Sequence, residues 1–286
     1  MEPACAVLEI APSAYYAAKK REENPPARDA RDEEMKQEIM RVWKVKGRGV
    51  YGARKVWREL NREGIDVARC TVERLMRELG IAGVSARRKR PRTTVPAGPG
   101  HDRPSDLLER DFSAPAPNRR WVADITYVGT VNGFVYTAFI LDLFSRMIVG
   151  WQVSDTLRAE LALDALEMAI WSRGDGMDGE LVHHSDRGVQ YTSIRYAERL
   201  GEVSAVRSVG RKGDSYDNAA AEALNSLYKK ELIDREGSWY GTADVTLATL
   251  EWVAWYNKER LHSACGHIPP VEFEENYYEN RGTLVV

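Results

Sequence analysis

The chain contains 286 residues, of which 43% are hydrophobic and 29% are charged, which suits one large globular domain together with a smaller one. The formal net charge of −2 by itself argues against binding to a polyanion. The charges are, however, distributed unevenly along the chain. Residues 1–100 carry 22 basic and 14 acidic side chains, whereas the remainder carries 19 and 29. This asymmetry predicts a basic module joined to an acidic one; the alternative is basic helices that only face solvent.

The cysteines and the apolar runs exclude two further classes of protein. Cys5, Cys70 and Cys265 are far apart and form no CxxC or CxxH pair, which excludes a zinc finger and fits a reducing compartment. The longest apolar run, residues 134–141, is much shorter than the roughly 20 residues that span a membrane. No signal segment opens the chain. We therefore expect a soluble intracellular protein with no membrane partner.

Helical periodicity dominates the N-terminal part of the chain. Residues 4–21 predict two short helices with Ser13 as the N-cap of the second, and the proline-containing residues 23–32 predict a linker. Three further helices follow within residues 32–86, and a turn that contains Gly64 joins the second to the third.

Arginines occupy the outward faces of the second and third of these helices. A helix, a short glycine-containing turn and a helix with outward arginines indicate a helix-turn-helix DNA-binding domain, although a plain three-helix bundle has the same outline. The basic run that follows cannot fold around its own charge, so it predicts an extended linker that tracks phosphates or a merely solvated tether. The candidate DNA contacts in this half are Arg54, Arg58, Arg69, Arg74, Arg77, Arg87, Arg88, Lys89 and Arg90.

The periodicity changes to that of strands at residue 120. Three β-rich runs, 121–131, 134–142 and 146–154, are separated by short turns, and Asn132-Gly133 is a strong hairpin signal. Helices and strands then alternate, beginning with a helix that is expected to bury Met168, and the last predicted helix carries two apolar stripes. The predicted organisation is an N-terminal helical segment and linker over 1–31, a helix-turn-helix domain over 32–86, a basic and proline-rich linker over 87–117, an α/β domain over 118–275 and a tail over 276–286.

Three carboxylates are carried by three different predicted elements of this α/β domain. Asp124 lies within the first strand, Asp186 follows a short strand, and Glu222 lies in the first turns of a helix. Each acid alone is better explained by a structural role, as a satisfied core acid, a turn cap or a solvent-facing residue. Together they could hold hard cations such as Mg²⁺ or Mn²⁺, which prefer oxygen ligands and support phosphodiester chemistry.

The sequence around these acids resembles that of the DDE transposases of the retroviral-integrase superfamily, and most closely the OrfB product of insertion sequences with two reading frames. The similarity extends from about residue 4 to about residue 275. The residues that carry it are Trp121-x-x-Asp124-Ile125-Thr126-Tyr127, His184-Ser185-Asp186-Arg187-Gly188-x-Gln190-Tyr191, Gly213-Asp214-x-Tyr216-Asp217-Asn218-Ala219-x-x-Glu222, Lys229-x-Glu231-Leu232, and Tyr256-Asn257-x-x-Arg260-x-His262.

The resemblance implies both a fold and a chemistry. The fold is α/β, an RNase H-like integrase catalytic core with a mixed five-stranded sheet and helices, preceded by an all-α helix-turn-helix domain. In that fold the first and fourth strands are neighbours, so Asp124 lies beside Asp186. Asp124 would bridge two Mg²⁺ ions about 3.5–4 Å apart, while Asp186 and Glu222 each hold one. The implied reactions are hydrolysis at the ends of the element and attack of the freed 3′-OH on target DNA.

The resemblance also implies DNA contacts close to the acids. The glycine-containing loop over residues 208–217 would approach DNA, which makes Arg211, Lys212 and the adjacent Asn218 candidates. Lys229 lies seven residues after Glu222 on the same helix face, where integrases place a lysine that touches the DNA end. The alternative for Lys229 is an ordinary exposed helix lysine.

Two other functions stay open at this point. The chain could be a helix-turn-helix regulator whose α/β domain is a non-catalytic scaffold, or an RNase H-like nuclease without a transfer step. Relatives often act as a frame-shifted fusion in which an upstream product adds a helix-turn-helix and a coiled coil. We therefore expect as partners the terminal repeats and target DNA, an OrfA-type product or a fusion to it, and further copies of this chain on DNA, all at the bacterial nucleoid.

Overall fold

The structure is a computed structural model that describes residues 11–23, 27–84, 108, 111–174, 179–186, 188, 190–209 and 218–283. The chain divides into two compact units, residues 1–84 and 85–286, and each unit is described by itself. No helix among these residues is both long and apolar enough to cross a membrane.

The described part of the N-terminal unit is entirely helical. Its elements are α1 (Pro12–Glu23), α2 (Ala27–Arg41), a π-helical turn (Val42–Lys46), α3 (Ala53–Arg62) and α4 (Arg69–Glu78). Proline suits the first turn of α1, because the N–H that it lacks would have no partner inside the helix. Two local predictions are wrong. Ser13 lies inside α1 and is not its N-cap, and α2 begins within the predicted linker. The helix predicted before Ser13 lies outside the described residues.

In the helix-turn-helix part of this unit, the segment after α4 hydrogen-bonds to the segment before α3. Gly64, which joins α3 to α4, has a φ of +82°, a conformation that favours glycine. The chain after α4 returns to the loop before α3, where the Val84 N–H donates to the Val50 carbonyl at 3.1 Å. The core between the helices is apolar and consists of Ile39, Val42, Val56, Leu60, Val72, Leu75 and Met76.

The described residues of the C-terminal unit form a mixed five-stranded sheet with the strand order β3-β2-β1-β4-β5. The first three strands are antiparallel, and β4 and β5 extend the sheet in parallel from β1. The predicted adjacency of the first and fourth strands is thus confirmed. The strands are β1 (Arg120–Thr130), β2 (Gly133–Asp142), β3 (Ile148–Ser154), β4 (Val182–Ser185) and β5 (Val206–Val209).

Helices cover both faces of this sheet. On one face, alternate residues of β1 and β2 pack against α5 and α6 in a core that includes Trp121, Ala123 and Ile140. On the other face, the Phe139 ring lies 5.0 Å from that of Tyr228. The helices are α5 (Ala159–Arg173), α6 (Ile194–Glu202), α7 (Ala219–Tyr228), a π-helical turn (Lys229–Ile233), α8 (Asp234–Glu236), α9 (Thr242–Lys258), a 3-10 turn (Ser263–Cys265) and α10 (Pro270–Thr283).

Two features of these helices differ from the sequence prediction, and a third stays open. Met168 is 37% exposed and does not join the core. Leu247 and Leu250, in the second apolar stripe of α9, are 60% and 52% exposed, and we expect that stripe to pack outside this sheet. Helix α10 was not predicted and continues through most of the region that was assigned to a tail.

Candidate active site

The register of β1 and β4 places Asp124 and Asp186 side by side. The two strands are parallel, and Ala123 pairs with Ser185, so each acid is the next residue along its strand. Asp186 directly follows the end of β4. Asp186 therefore lies at the carboxyl end of β4, which is where open α/β sheets usually bind their ligands, and Asp124 lies beside it within β1.

The third acid comes from the first turn of α7, which packs against β1. Glu222 is exposed there, and its negative charge raises the pKa of Asp124, so the two carboxylates are within electrostatic reach. The start of α7 is attached to the strand by Asn218, whose amide donates to the Ala123 carbonyl at 3.0 Å. Asn218 is 7% exposed and anchors the helix, and its contact with DNA stays a prediction.

The surroundings of Asp124 and Asp186 disfavour the ionised form of both carboxyl groups. Burial, the Asp186 charge and the Glu222 charge raise the pKa of Asp124 to about 8. The Ile125 N–H and the Asn225 amide, which donate to Asp124 at 2.9 Å each, oppose this shift without cancelling it. Burial also raises the pKa of Asp186. The acids would repel one another if all were ionised, and a bound cation would relieve that repulsion.

The donor set is suited to a hard divalent cation. Carboxylate oxygens are the ligands that Mg²⁺ and Mn²⁺ prefer, and histidine or cysteine ligands are not required. Among the described residues, however, no group of three His, Cys, Asp or Glu side chains is already close enough together to hold a metal ion. The acids thus have the right chemistry, and binding would require them to draw closer together.

Two residues of the site were not singled out from the sequence. Asn225 is 8% exposed and lies three residues after Glu222, so it shares that helix face; this spacing was the available signal. Tyr191 is 3% exposed, and its hydroxyl finds no partner among the described residues. The charges of Asp124 and Asp186 contribute to raising the pKa of Tyr191, so this hydroxyl is close to the acid pair.

Lys229 begins the π-helical turn that follows α7. Its Nζ atom lies 4.2 Å from the centre of the Tyr127 ring, a cation–π contact. The turn is fixed by Glu231, which accepts two hydrogen bonds from the Arg260 guanidinium at 2.8 Å and 2.6 Å. The backbone at Lys229 therefore belongs to a turn that the buried Glu231–Arg260 pair holds in place, while its side chain contacts the exposed Tyr127 ring.

The predicted contacts of the helix-turn-helix unit differ in their surroundings. Arg54, Arg58 and Arg77 are exposed, and the Arg58 guanidinium lies over the Trp57 ring at 4.7 Å. Arg69 donates to Glu73 at 2.7 Å across one helical turn. Arg74 is shared between Asp32 and Glu78, at 2.8 Å from each. Arg87, Arg88, Lys89, Arg90, Arg211 and Lys212 lie outside the described residues.

Comparisons with known proteins cover both units. Family models match as an "HTH-like domain" over residues 29–90 and as an "Integrase core domain" over residues 114–215 and 206–270. The catalytic core domain of HTLV-2 integrase, solved with magnesium, covers 56% of this chain and 98% of its own at 16% identity, with a TM-score of 0.44.

Two relatives match this chain over nearly its whole length. The putative transposase for IS986/IS6110 of Mycobacterium tuberculosis is 53% identical over 96% of this chain and 98% of its own. The transposase for IS629 of Shigella sonnei is 50% identical over 98% and 93%. The chain therefore belongs to the transposases of insertion sequence elements and combines an HTH-like domain with an integrase core domain.

Proposed function

We propose that this transposase cuts phosphodiester bonds at the ends of its insertion sequence and joins the freed 3′-OH to target DNA. The observation that carries the proposal is the strand register that sets Asp124 beside Asp186, with Glu222 in electrostatic reach on α7. Both reactions displace an oxygen at phosphorus, so one site can perform them in succession. Neither reaction needs a covalent protein–DNA intermediate.

The three acids would hold Mg²⁺, or Mn²⁺ in its place, as two ions. When bound, the metal would supply Lewis acidity that activates the attacking hydroxyl and stabilises the leaving oxygen. Asp124, the most central of the three, keeps its orientation through the bond from Asn225. Glu222 lies in the first helical turn, whose N–H groups favour a negative charge. Asp186 is held through Oδ1 by the Gly188 N–H at 2.9 Å.

Recognition of DNA belongs to the helix-turn-helix unit. The exposed guanidinium groups of Arg54, Arg58 and Arg77 are available to phosphates, and the exposed Arg69 could exchange Glu73 for a phosphate at little cost. Arg74 is shared between two carboxylates of its own unit, so we leave it out of the proposed contacts. The basic run of Arg87, Arg88, Lys89 and Arg90 and the loop residues Arg211 and Lys212 remain proposed contacts.

The assembly follows from the reaction. Joining two ends of one element requires two active sites, so we propose that copies of this chain pair on DNA at the bacterial nucleoid. We also propose that an OrfA-type product, or a fusion to it, completes recognition of the terminal repeats.

The test is cleavage of labelled element ends by the full chain with Mg²⁺ or Mn²⁺, with and without the upstream product. Asp124→Asn should abolish cleavage and strand transfer while DNA binding persists. Asp164→Asn is the matched control, because Asp164 is an exposed carboxylate on α5, and it should retain full activity. Cleavage by the Asp124→Asn variant would overturn the role proposed for Asp124. DNA binding without cleavage by the wild type, even with the upstream product, would favour a non-catalytic scaffold.

A further inference from the structure

Two aromatic rings and one lysine form an exposed patch at the end of the β1–β2 hairpin. Tyr127 is 47% exposed and Phe134 is 59% exposed, and their rings meet edge to face with centroids 5.5 Å apart. Lys229 lies over the other side of the patch, 4.2 Å from the Tyr127 ring centre. We call Tyr127, Phe134 and Lys229 the hairpin platform.

The strand register explains why the two rings are adjacent. Gly129 pairs with Phe134, and Tyr127 pairs with Tyr136, so Tyr127 and Phe134 are diagonal neighbours on one face of the hairpin. A side chain at Gly129 would meet nothing within 4 Å, which means that the space beside the Phe134 ring is open. The sequence thus places two large rings at this position and leaves room next to them.

The platform is held rigidly. The hairpin turn is attached to the chain that follows α8, because the Val131 N–H donates to the Trp239 carbonyl at 2.9 Å and the Asn132 N–H donates to the Tyr240 carbonyl at 3.3 Å. On the other side, Lys229 is held by the π-helical turn that contains Glu231. A surface fixed in this way loses little conformational entropy when it binds a flat ligand.

The platform lies further along β1 than the acids, and its rings are on the other face of the sheet. Tyr127 is three residues past Asp124, or about 10 Å along a strand, and Lys229 is two helical turns past Glu222, or again about 10 Å. Tyr127 points to the opposite face from Asp124. Lys229 reaches it around the edge of β1, because among the described strands β4 pairs with β1 only as far as Ala123.

The chemistry of the patch matches one ligand class in particular. A flat aromatic ring takes a nucleobase by stacking, and an adjacent ammonium group attracts its phosphate. A base inside a duplex has no free face, so the ligand must be an unpaired or flipped base. We propose that the hairpin platform binds unpaired nucleobases of the DNA strand whose phosphodiester lies at Asp124, Asp186 and Glu222. This inference rests on the proposed function for the position of the strand.

The test compares two DNA probes bound by the full chain in EDTA, so that no cleavage takes place. One probe is a duplex of the element's end, and the other is the same duplex with a three-nucleotide unpaired tail that carries 2-aminopurine. Phe134→Ala should weaken binding of the tailed probe about 5- to 30-fold, the equivalent of about 1–2 kcal/mol of lost stacking. It should also lower the quenching of the 2-aminopurine, while affinity for the paired probe changes less than about twofold.

Two variants control for folding and for general exposure of rings. Phe134→Trp keeps a stacking surface and should retain the preference for the tail. Trp171→Ala removes a ring that is 86% exposed on α5, far along the chain from the hairpin, and should leave both affinities unchanged. Equal losses on both probes, or no loss on either, would overturn the proposal. A change in self-association without a change in tail binding would assign the patch to a protein partner instead.

These outcomes separate the platform from the proposed function. If wild-type protein fails to cut with Mg²⁺ even when the upstream product is added, but still prefers the tailed probe through Phe134, the platform stands and the chemistry falls. If wild-type protein cuts and Phe134→Ala neither changes the cutting of a tailed end nor its binding, the platform falls and the chemistry stands.

Discussion

The buried ion pair between Glu231 and Arg260 offers the sharpest test of how the site is held. Their side chains are only 7% and 5% exposed, and the pair has two-point geometry with bonds of 2.8 Å and 2.6 Å. Glu231 belongs to the π-helical turn that begins with Lys229, and Arg260 follows the end of α9. The pair therefore joins the π-helical turn that follows α7 to the C-terminal end of α9.

Glu231→Gln leaves the Arg260 charge buried and facing a neutral amide. Removing one partner of such a pair typically costs about 3–5 kcal/mol, because the remaining charge is not hydrated. Water screens little here, since both side chains are nearly inaccessible. A loss of this size is a large part of the roughly 5–15 kcal/mol that stabilises a typical protein. Replacing both residues together, as Glu231→Leu with Arg260→Met, should recover most of the loss.

The assay is denaturant unfolding of the full chain, followed by tryptophan fluorescence. Arg195 and Glu160 provide the matched control, because their side chains are 69% and 59% exposed and their atoms are 3.3 Å apart. Glu160→Gln should cost less than about 1 kcal/mol. If Glu231→Gln costs no more than Glu160→Gln, the buried pair does not stabilise the turn and the reasoning is refuted.

Three further changes test the site and the core around it. Asn225→Ala removes the amide that orients Asp124, so the cleavage rate should fall about 10- to 100-fold with unfolding unchanged, which single-turnover kinetics would measure. Because the pKa of Asp124 is raised to about 8 from an ordinary 3.8, the folded chain keeps a proton that the unfolded chain loses. Its contribution to the unfolding free energy is therefore lost as the pH rises from about 4 to about 8. The difference between these two pKa values, at roughly 1.4 kcal/mol for each pH unit, should make Asp124→Asn more stable than the wild type by about 5 kcal/mol at pH 8 and equal to it near pH 4. Gly150→Ala should cost about 1–3 kcal/mol in thermal unfolding, because its methyl group would lie 2.1 Å from the Ala165 carbonyl oxygen; Gly129→Ala, which meets nothing within 4 Å, should be near neutral.

The sheet was predictable because its signals are local. Alternation of apolar and polar side chains along β1 and the Asn132-Gly133 turn define the first hairpin, and both act over a few residues. The adjacency of Asp124 and Asp186 was predicted from the resemblance. The distance between these acids along the sequence does not by itself determine which strands pair. The family, the fold and the order of the two domains followed from the same long motifs.

The π-helical turns could not be predicted from the pattern. Lys229–Ile233 has a composition that suits an ordinary α-helix, yet its extra residue per turn rotates every side chain that follows. The exposure of Leu247 and Leu250 has a related cause, because an apolar stripe does not specify what covers it. Asn225 was overlooked since asparagine on a helix most often faces water, and only the position of Asp124 gives it a role.

Helix α10 was missed because its stabilising contacts are long-range. Its sequence contains many acidic residues, and its apolar members are anchored by Phe144, whose ring lies 5.2 Å from that of Phe273 and 4.8 Å from that of Tyr277. Arg173 at the end of α5 donates to Glu274 at 3.0 Å. Both contacts join residues more than one hundred positions apart, and no local pattern reveals them.

The three acids are held with different rigidity, and this difference bears on how catalysis is controlled. Asp124 and Asp186 are fixed by a strand pair, whereas Glu222 is exposed in the first turn of a helix and depends on Asn218 for its attachment. Mutual repulsion keeps the carboxylates from closing on each other while they are ionised. Approach of the three carboxylates to one another therefore requires a compensating positive charge. A DNA strand that positions the cation would favour this approach further. On the proposed function, we expect such a site to cut only when metal and DNA are present together.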